Sequence, residues 1–359
     1  MIAVVAGLAV GSVAVCAADQ ALFLIRDVPA KGEGKTDAAA ERSAAIAIAA
    51  AALQQLMRRL TARSDHLYLP QVSANRAHEM IKGVEVVRAK RSNTEKGRSF
   101  DGALSFLFDT GKVGAFLEAS GIGWSARRSG PVLVLPIWSR EGQLTLWDGL
   151  NPWRDTWEAR NGEPGLVVVI LPDGGFQDLQ AINAVQAARR DLEALAAIAK
   201  SYEAQQVLVA VARRDDNEQV SVAAWLFGVR NGIAEQLDPV VHSGDEALAR
   251  SAASLVSQLT ERWKSQAIFP AGPSRTTDVT ARFEGIEAWT RILEALDATP
   301  AVTDYGVIRF SADDAVLSLI HKGASKDLPA LLHAFGLNLA GAEGNWVLRT
   351  IPKLKSEQE

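Results

Sequence analysis

Pro131-Val132-Leu133-Val134-Leu135-Pro136-Ile137 is an apolar run set between prolines, with no polar position in it. A strand with one wet face alternates apolar and polar residues. This one does not, so it reads as a strand buried on both faces. Leu166–Leu171 repeats the pattern, and Pro172-Asp173-Gly174-Gly175 stops it. A helix is expected next, because Leu179, Ile182, Val185, Leu192, Leu195, Ile198 and Tyr202 fall mostly three or four apart. Val207–Ala212 and Ser221–Val229 read as a hairpin around Asp215-Asp216-Asn217. Glu246–Lys264 reads as a closing helix with Leu248, Leu255, Leu259 and Trp263 on one face. Buried strands alternating with helices make residues 130–267 an α/β layer domain.

Two further modules flank it. Residues 19–128 read as strand Ala21–Val28 ended by Pro29, an Ala-rich helix Asp37–Leu60, and a short helix Ala74–Ile81. Strands Val84–Arg91 and Ala103–Phe108 and a helix Gly111–Ala119 complete the module. Residues 275–352 read as strand Thr277–Phe283, helix Glu287–Leu296, strands Val302–Phe310 and Ala315–His321, helix Leu328–Phe335 and strand Asn345–Ile351. That order is the split ferredoxin-like arrangement, complete in the third module and βαββα in the first. The fold class is therefore α+β to α/β, in three small modules. Pro270-Ala271-Gly272-Pro273-Ser274 reads as a linker and residues 353–359 as a charged tail.

The length of 359 residues suits two or three domains. Hydrophobic residues at 48% and charged residues at 22% are values of a folded globular chain. A net charge of −4 gives no electrostatic reason to expect nucleic acid or an anionic membrane surface as partner. Arg88, Lys90, Arg91, Lys96 and Arg98 cluster, but acidic residues offset them and no aromatics interleave, so they read as a solvated loop. Ile2–Val15 is uncharged and apolar, and Val15-Cys16-Ala17-Ala18 fits a cleavage site for export. Residues 1–18 are expected to be a signal peptide, and the mature protein to be periplasmic. No basic residue precedes the apolar run, which departs from the pattern. Removal of Cys16, the one cysteine, leaves a chain that forms no disulfide. No second stretch reaches transmembrane length.

Lys31-Gly32-Glu33-Gly34-Lys35-Thr36 lies between a strand and a helix, and ends like a phosphate-binding loop. The spacing fails, since the required first glycine falls on Pro29, which has no N–H to donate. Glu33 also sets negative charge inside the anion cradle. A turn with Thr36 or Asp37 capping the helix is the favoured reading. Four of the nine tryptophans are Trp138, Trp147, Trp153 and Trp157. Trp147, Asp148, Asn151, Trp153, Arg154, Asp155 and Trp157 are the candidate ligand-binding residues, for a glycan, peptide or small metabolite. The competing reading is that these aromatics pin a loop over the sheet. The five histidines are scattered without metal-ligand spacing, so no metal, cofactor or catalytic residue is expected.

Several segments together resemble a known family: Val28-Pro29, the helix end Leu56-Met57-Arg58-Arg59-Leu60-Thr61, Leu104–Asp109 and Gly130–Trp157. With the signal-like start, they are similar to a bacterial family of exported proteins catalogued as domain of unknown function 2066. The resemblance covers most of the mature chain and implies export, with no assigned activity or site residues. The middle module is also similar in strand–helix order to the amino-terminal modules of envelope assembly proteins of the TolB and curli-secretion types. That similarity rests on Ser201-Tyr202 before Val207–Ala212 and on Trp225 in the next strand, and lies at the level of fold. The expected function is binding or scaffolding of cell-envelope components, with an envelope protein or glycan as partner. Ligand binding at the Trp138–Trp157 loop and nucleotide binding through Gly34-Lys35-Thr36 are the alternatives.

Overall fold

A computed structural model of the chain describes residues 20–351, apart from 96, 148, 216, 230–231, 269–273, 300, 323–324, 334 and 343. The signal segment, most of the expected linker and the charged tail lie outside the described residues. The chain has an α+β architecture with three sheets, and divides into two compact units. One is residues 127–263, and the other holds the residues on either side of it.

The first sheet consists of β1 (Leu24–Gly34), β2 (Ile81–Thr94) and β3 (Gly97–Phe108), in the order β1-β3-β2. Both pairings are antiparallel, so β1 and β2 run parallel with β3 between them. That is the split βαβ core expected of a ferredoxin-like module. Helix α1 (Asp37–Leu60) crosses it with Ala40, Ala44, Ala49, Ala52, Leu53, Leu56 and Leu60 buried. Thr36 caps the helix by accepting from the Ala39 N–H at 3.2 Å, and Arg98 clasps Asp37 with a bidentate pair at 2.7 and 3.1 Å. Shorter helices α2 (Ala74–Glu79) and α3 (Thr110–Ala119) complete the segment.

The expectation for β1 needs correction. Residues 20–22 are helical, and the strand starts at Leu24 and runs through Pro29 to Gly34. Pro29 pairs with Ala103 and Gly34 with Arg98. β1 is an edge strand, where a sheet tolerates a missing N–H. The glycines serve packing: a Cβ on Gly32 would lie 2.4 Å from Ala40 O and Ala44 N, and one on Gly34 would lie 2.5 Å from Ala40 N. Small residues on both partners let the helix backbone approach the strand.

In residues 127–263 the decisive strand is β4 (Pro131–Arg140). It runs parallel to β6 (Val168–Ile170) and β7 (Gln206–Arg214), and antiparallel to β5 (Gln143–Thr145). β8 (Gln219–Gly228) forms the expected hairpin with β7, and the short strands β9 (Ala234–Gln236) and β10 (Val240–Ser243) pair with β8. The apolar run does serve two faces. Val132, Val134 and Trp138 join one core, with Trp153, Trp157, Leu255 and Leu259. Leu133, Leu135 and Ile137 join the other, with Ile182, Leu195 and Ile198. Helices α4 (Pro152–Ala159) and α8 (Ala247–Ala267) cover the first face. Pro136 is tolerated because β6 pairs only with Pro131–Leu133 and β5 only with Trp138–Arg140. In an extended strand the N–H and C=O of one residue point the same way, and the Pro136 carbonyl faces Asn151.

The single helix expected across residues 179–202 is instead three: α5 (Phe176–Ala181), α6 (Ala184–Arg189) and α7 (Leu192–Ser201). Asn183 and Gln186 form a capping box that starts α6, Arg190 ends it in the left-handed region, and Asp191 caps α7. Polar caps inside an apolar period broke the helix without disturbing the spacing of its buried residues.

The third sheet has the order β12-β13-β11-β15-β14. Its strands are β11 (Arg275–Arg282), β12 (Val302–Phe310), β13 (Asp314–His321), β14 (Leu337–Ala340) and β15 (Trp346–Thr350), with helices α9 (Gly285–Ala298) and α10 (Leu328–His333). The ferredoxin-like order is present with one addition. β14 follows α10, and β15 folds back from it to lie parallel to β11. The sequence reading had no strand at 337–340.

Two substitutions separate the packing role of the glycine segment from a nucleotide role. Gly32→Val should destabilise the protein by about 3 kcal/mol in urea unfolding, the upper end of overpacking costs. Lys35 is exposed, and Lys35→Ala should change stability by less than about 0.5 kcal/mol.

Candidate functional site

The Gly-Lys-Thr segment forms no phosphate loop. Residues up to Gly34 belong to β1 and pair with β3, so their backbone N–H groups follow a strand instead of converging on one point.

The tryptophan segment folds as a loop and helix α4 against the sheet. Trp153 and Trp157 are buried and meet edge-to-face with ring centroids 5.5 Å apart. The Trp153 indole N–H donates to Ala210 O at 3.1 Å. Asn151 is also buried: its amide donates to Pro136 O at 2.9 Å and to Thr145 O at 3.2 Å, and its oxygen caps α4 at the Arg154 N–H. These residues close the gap beside β4. Trp147 is half-buried and donates to Ile182 O at 2.7 Å. The Arg154 guanidinium sits 5.8 Å from the Trp147 ring centre and donates to Pro172 O at 2.8 Å and Asp173 O at 3.2 Å. Its remaining ion pair is with Glu158 at 3.0 Å. Asp155 is exposed, and Asp148 lies outside the described residues. Of the candidate residues with described side chains, Trp147, Arg154 and Asp155 reach solvent, and Trp153, Trp157 and Asn151 point inward.

A polar knot that the sequence reading missed holds the neighbouring loop. Tyr202 Oη donates to Asp178 Oδ2 at 2.7 Å and accepts from the Asp173 N–H at 3.1 Å, while the Gly174 N–H donates to the same Asp178 oxygen at 2.9 Å. Burial, with the nearby Asp178 and Asp173 charges, raises the Tyr202 phenol above its ordinary value. Leu150 on the tryptophan loop and Phe176 and Leu179 on α5 project outward. The signal available in the sequence was Asp178, an acid on a helix face that otherwise reads as packing.

Among the described residues no group of three His, Cys, Asp or Glu side chains could hold a metal. His333 is exposed, whereas His321 is fully buried and shares a 2.9 Å hydrogen bond with Thr277 Oγ1. Burial, reinforced by the Arg275 charge, holds the His321 imidazole below the ordinary histidine value.

Two of the surfaces open to contact are sheet edges. β2 is one edge of the first sheet, and every residue from Val84 to Thr94 is exposed. Of the basic cluster read as solvated, Arg88, Lys90 and Arg91 lie on β2, within the expected strand Val84–Arg91, and Arg98 lies on β3 where a loop was expected, with Lys96 outside the described residues. β2 and β3 continue past the expected turn because their register runs unbroken from Arg88↔Ala103 to Thr94↔Gly97. β12 is an edge of the third sheet. Its Val307, Ile308 and Phe310 are 51%, 60% and 54% exposed. Phe310 stacks on Phe283 at 5.6 Å and meets Trp289 at 5.1 Å, so it is fixed where it stands. No helix among the described residues is long and apolar enough to cross a membrane.

Fold and surface together define a multi-sheet α+β protein with exposed sheet edges. No protein-family model and no curated protein sequence matches the chain. Among solved structures, it is similar to the C-terminal domain of LpoB from Salmonella enterica, at 17% identity over 36% of this chain and 92% of that one, with a TM-score of 0.23. It is similar to the lipoprotein GNA1162 from Neisseria meningitidis at 21% identity over 38% and 95%, with a TM-score of 0.23. It is also similar to the hypothetical protein CT253 from Chlamydia trachomatis at 14% identity over 38% and 97%, with a TM-score of 0.25.

Tyr202→Phe should cost about 1–2 kcal/mol in urea unfolding, because Asp178 and the Asp173 N–H lose their shared partner. His321 gives a pH dependence of definite sign. Below about pH 6.5 the unfolded chain takes up a proton that the buried imidazole refuses, so the unfolded state binds more protons. Stability should therefore fall as the pH drops through about 6.5, and His321→Gln should flatten that slope even if it lowers stability overall.

Proposed function

We propose that this chain is an exported cell-envelope protein that binds and scaffolds other envelope proteins through the edges of its sheets. The observation that carries the reading is β12, an edge strand whose outer side pairs with no described strand, with Val307, Ile308 and Phe310 exposed and Phe310 held by Phe283 and Trp289. An open apolar edge is a template for another chain, and folded proteins commonly blunt or cover such edges. The register of β12 shifts between Val307 and Arg309, so a partner would meet the exposed apolar side chains around the fixed Phe310 more than a continuous backbone edge. Export is supported by the apolar start and its small-residue cleavage site, Val15-Cys16-Ala17-Ala18, and by the resemblance of Leu104–Asp109 and Gly130–Trp157 to an exported family.

Cell fractionation with mass measurement of the mature amino terminus tests the location. The expected result is periplasmic protein beginning at Ala18 or Asp19, and full-length protein in the cytoplasm would overturn it. A photo-crosslinking residue in place of Phe310 should trap one discrete envelope protein in living cells, whereas the same residue in place of the exposed Glu193 should not. Absence of any adduct specific to position 310 would remove the carrying observation.

A further inference from the structure

We infer that strand β2 is an acceptor for an acidic extended segment of a protein partner, which adds to the first sheet as a fourth strand beside Arg88–Thr94. The inference rests on reading the sheet edges as binding elements, but its observations belong to a different sheet from β12.

The geometry selects the stretch. The inner edge of β2 is paired to β3, and its outer edge pairs with no described strand. A register irregularity between Val86 and Arg88 interrupts the first half. Irregularities of this kind twist an edge away from a partner. From Arg88 to Thr94 the register is continuous, which offers seven regular residues. Backbone N–H and C=O groups on the outer side of such a strand are open to water, and their regular spacing matches that of an incoming strand.

Charge selects the occupant. β2 carries Lys82, Arg88, Lys90 and Arg91 against the single acid Glu85, although the whole chain is at −4. Part of this charge is answered internally. Arg91 pairs with Glu41 on α1, and Arg88 lies 4.0 Å from Asp27. Lys90 stands opposite Asp101, whose carboxylate is taken by Lys31 at 2.8 Å. Lys90 and Lys82 have no ion-pair partner among the described residues. A second copy of β2 would set like charges directly opposite one another, which destabilises a strand pair. The basic residues therefore protect the edge against self-association, and the same residues favour a strand whose side chains alternate with Asp or Glu.

The test uses the full mature chain and a synthetic seven-residue probe of alternating Glu and Val, blocked at both ends. The expected result is saturable binding that weakens with added salt, with slowed amide exchange confined to residues 88–94. Arg88→Glu combined with Lys90→Glu should weaken the probe by roughly tenfold or more. Both residues are exposed, so an unchanged melting temperature confirms that this variant folds. A probe of the same sequence methylated on every backbone nitrogen keeps its charge but cannot supply the strand N–H groups on either edge, and should not bind. Equal binding by the methylated probe, binding indifferent to the charge reversal, or no binding of the acidic probe at low salt would each overturn the inference. The crosslinking at position 310 reports separately on the edge-binding reading, so loss of acidic-strand binding with that adduct intact would remove this inference alone.

Discussion

A strand with no polar face must be covered twice, and in residues 127–263 that requirement on β4 governs what every neighbouring element does. Val132 and Val134 point one way and Leu133 and Leu135 the other, and both sets are fully buried. A fully buried Val or Leu side chain is worth about 1.5–3 kcal/mol, so leaving either face open would forfeit several times that. Helices α4 and α8 therefore lie on one side and α7 on the other. The tryptophans follow from the same need. Trp153 and Trp157 provide cover for the first face, and Asn151 closes the part of β4's edge away from β7 that neither β6 nor β5 pairs. The segment richest in aromatics is thus mostly committed to the core, and its polar residues mainly satisfy backbone groups that burial would otherwise strand.

The three-stranded sheet is under a different constraint. Its defining contact is the approach of α1 to β1 at Gly32 and Gly34, where no side chain larger than hydrogen fits. A helix this close reaches across β1 and β3, but β2 extends beyond its shelter, and Val84 and Val86 stay about two-fifths exposed on the helix side. The exposure of β2 is thus a consequence of where the small residues are. Backbone approach at one edge leaves the opposite edge uncovered.

How much of this was legible in the residues depends on whether a signal was periodic or positional. The twofold burial of β4 was readable because the apolar run lacks any polar position. The extent of α1 was readable to the residue because Thr36 and the alanine spacing agree. The glycine segment was rightly refused as a phosphate loop, and Thr36 caps the helix as expected, but residues 29–34 read as a turn because glycines hide a strand whose reason is close packing against α1. The break of residues 176–201 into three helices was hidden because Asn183 and Asp191 sit at cap positions without interrupting the apolar period. β14 was missed because Leu337–Ala340 alternates over only four residues, too few to set a strand apart from a loop. The inward direction of Trp153 and Trp157 was not legible, since an aromatic on a turn-rich segment carries the same composition whether it lines a groove or fills a core.

Edge strands show most clearly why a local reading of charge falls short. Arg88, Lys90 and Arg91 form a basic cluster with no apolar partner of its own, which in isolation describes a solvated loop. Placed on a strand at continuous register, the same residues acquire a direction. Alternate side chains take opposite faces, so Arg91 turns to Glu41 on the helix and Lys90 turns the other way. Hydration satisfies a loop, but it leaves a regular strand edge with a row of backbone groups matched in spacing to another chain. β12 presents an apolar lining on an edge whose register shifts between Val307 and Arg309, and β2 presents a basic lining on an edge that is regular from Arg88 to Thr94. Two open edges of opposite chemistry on one protein would not compete for the same partner, because a segment suited to Val307 and Phe310 lacks the carboxylates that Lys90 and Arg88 select.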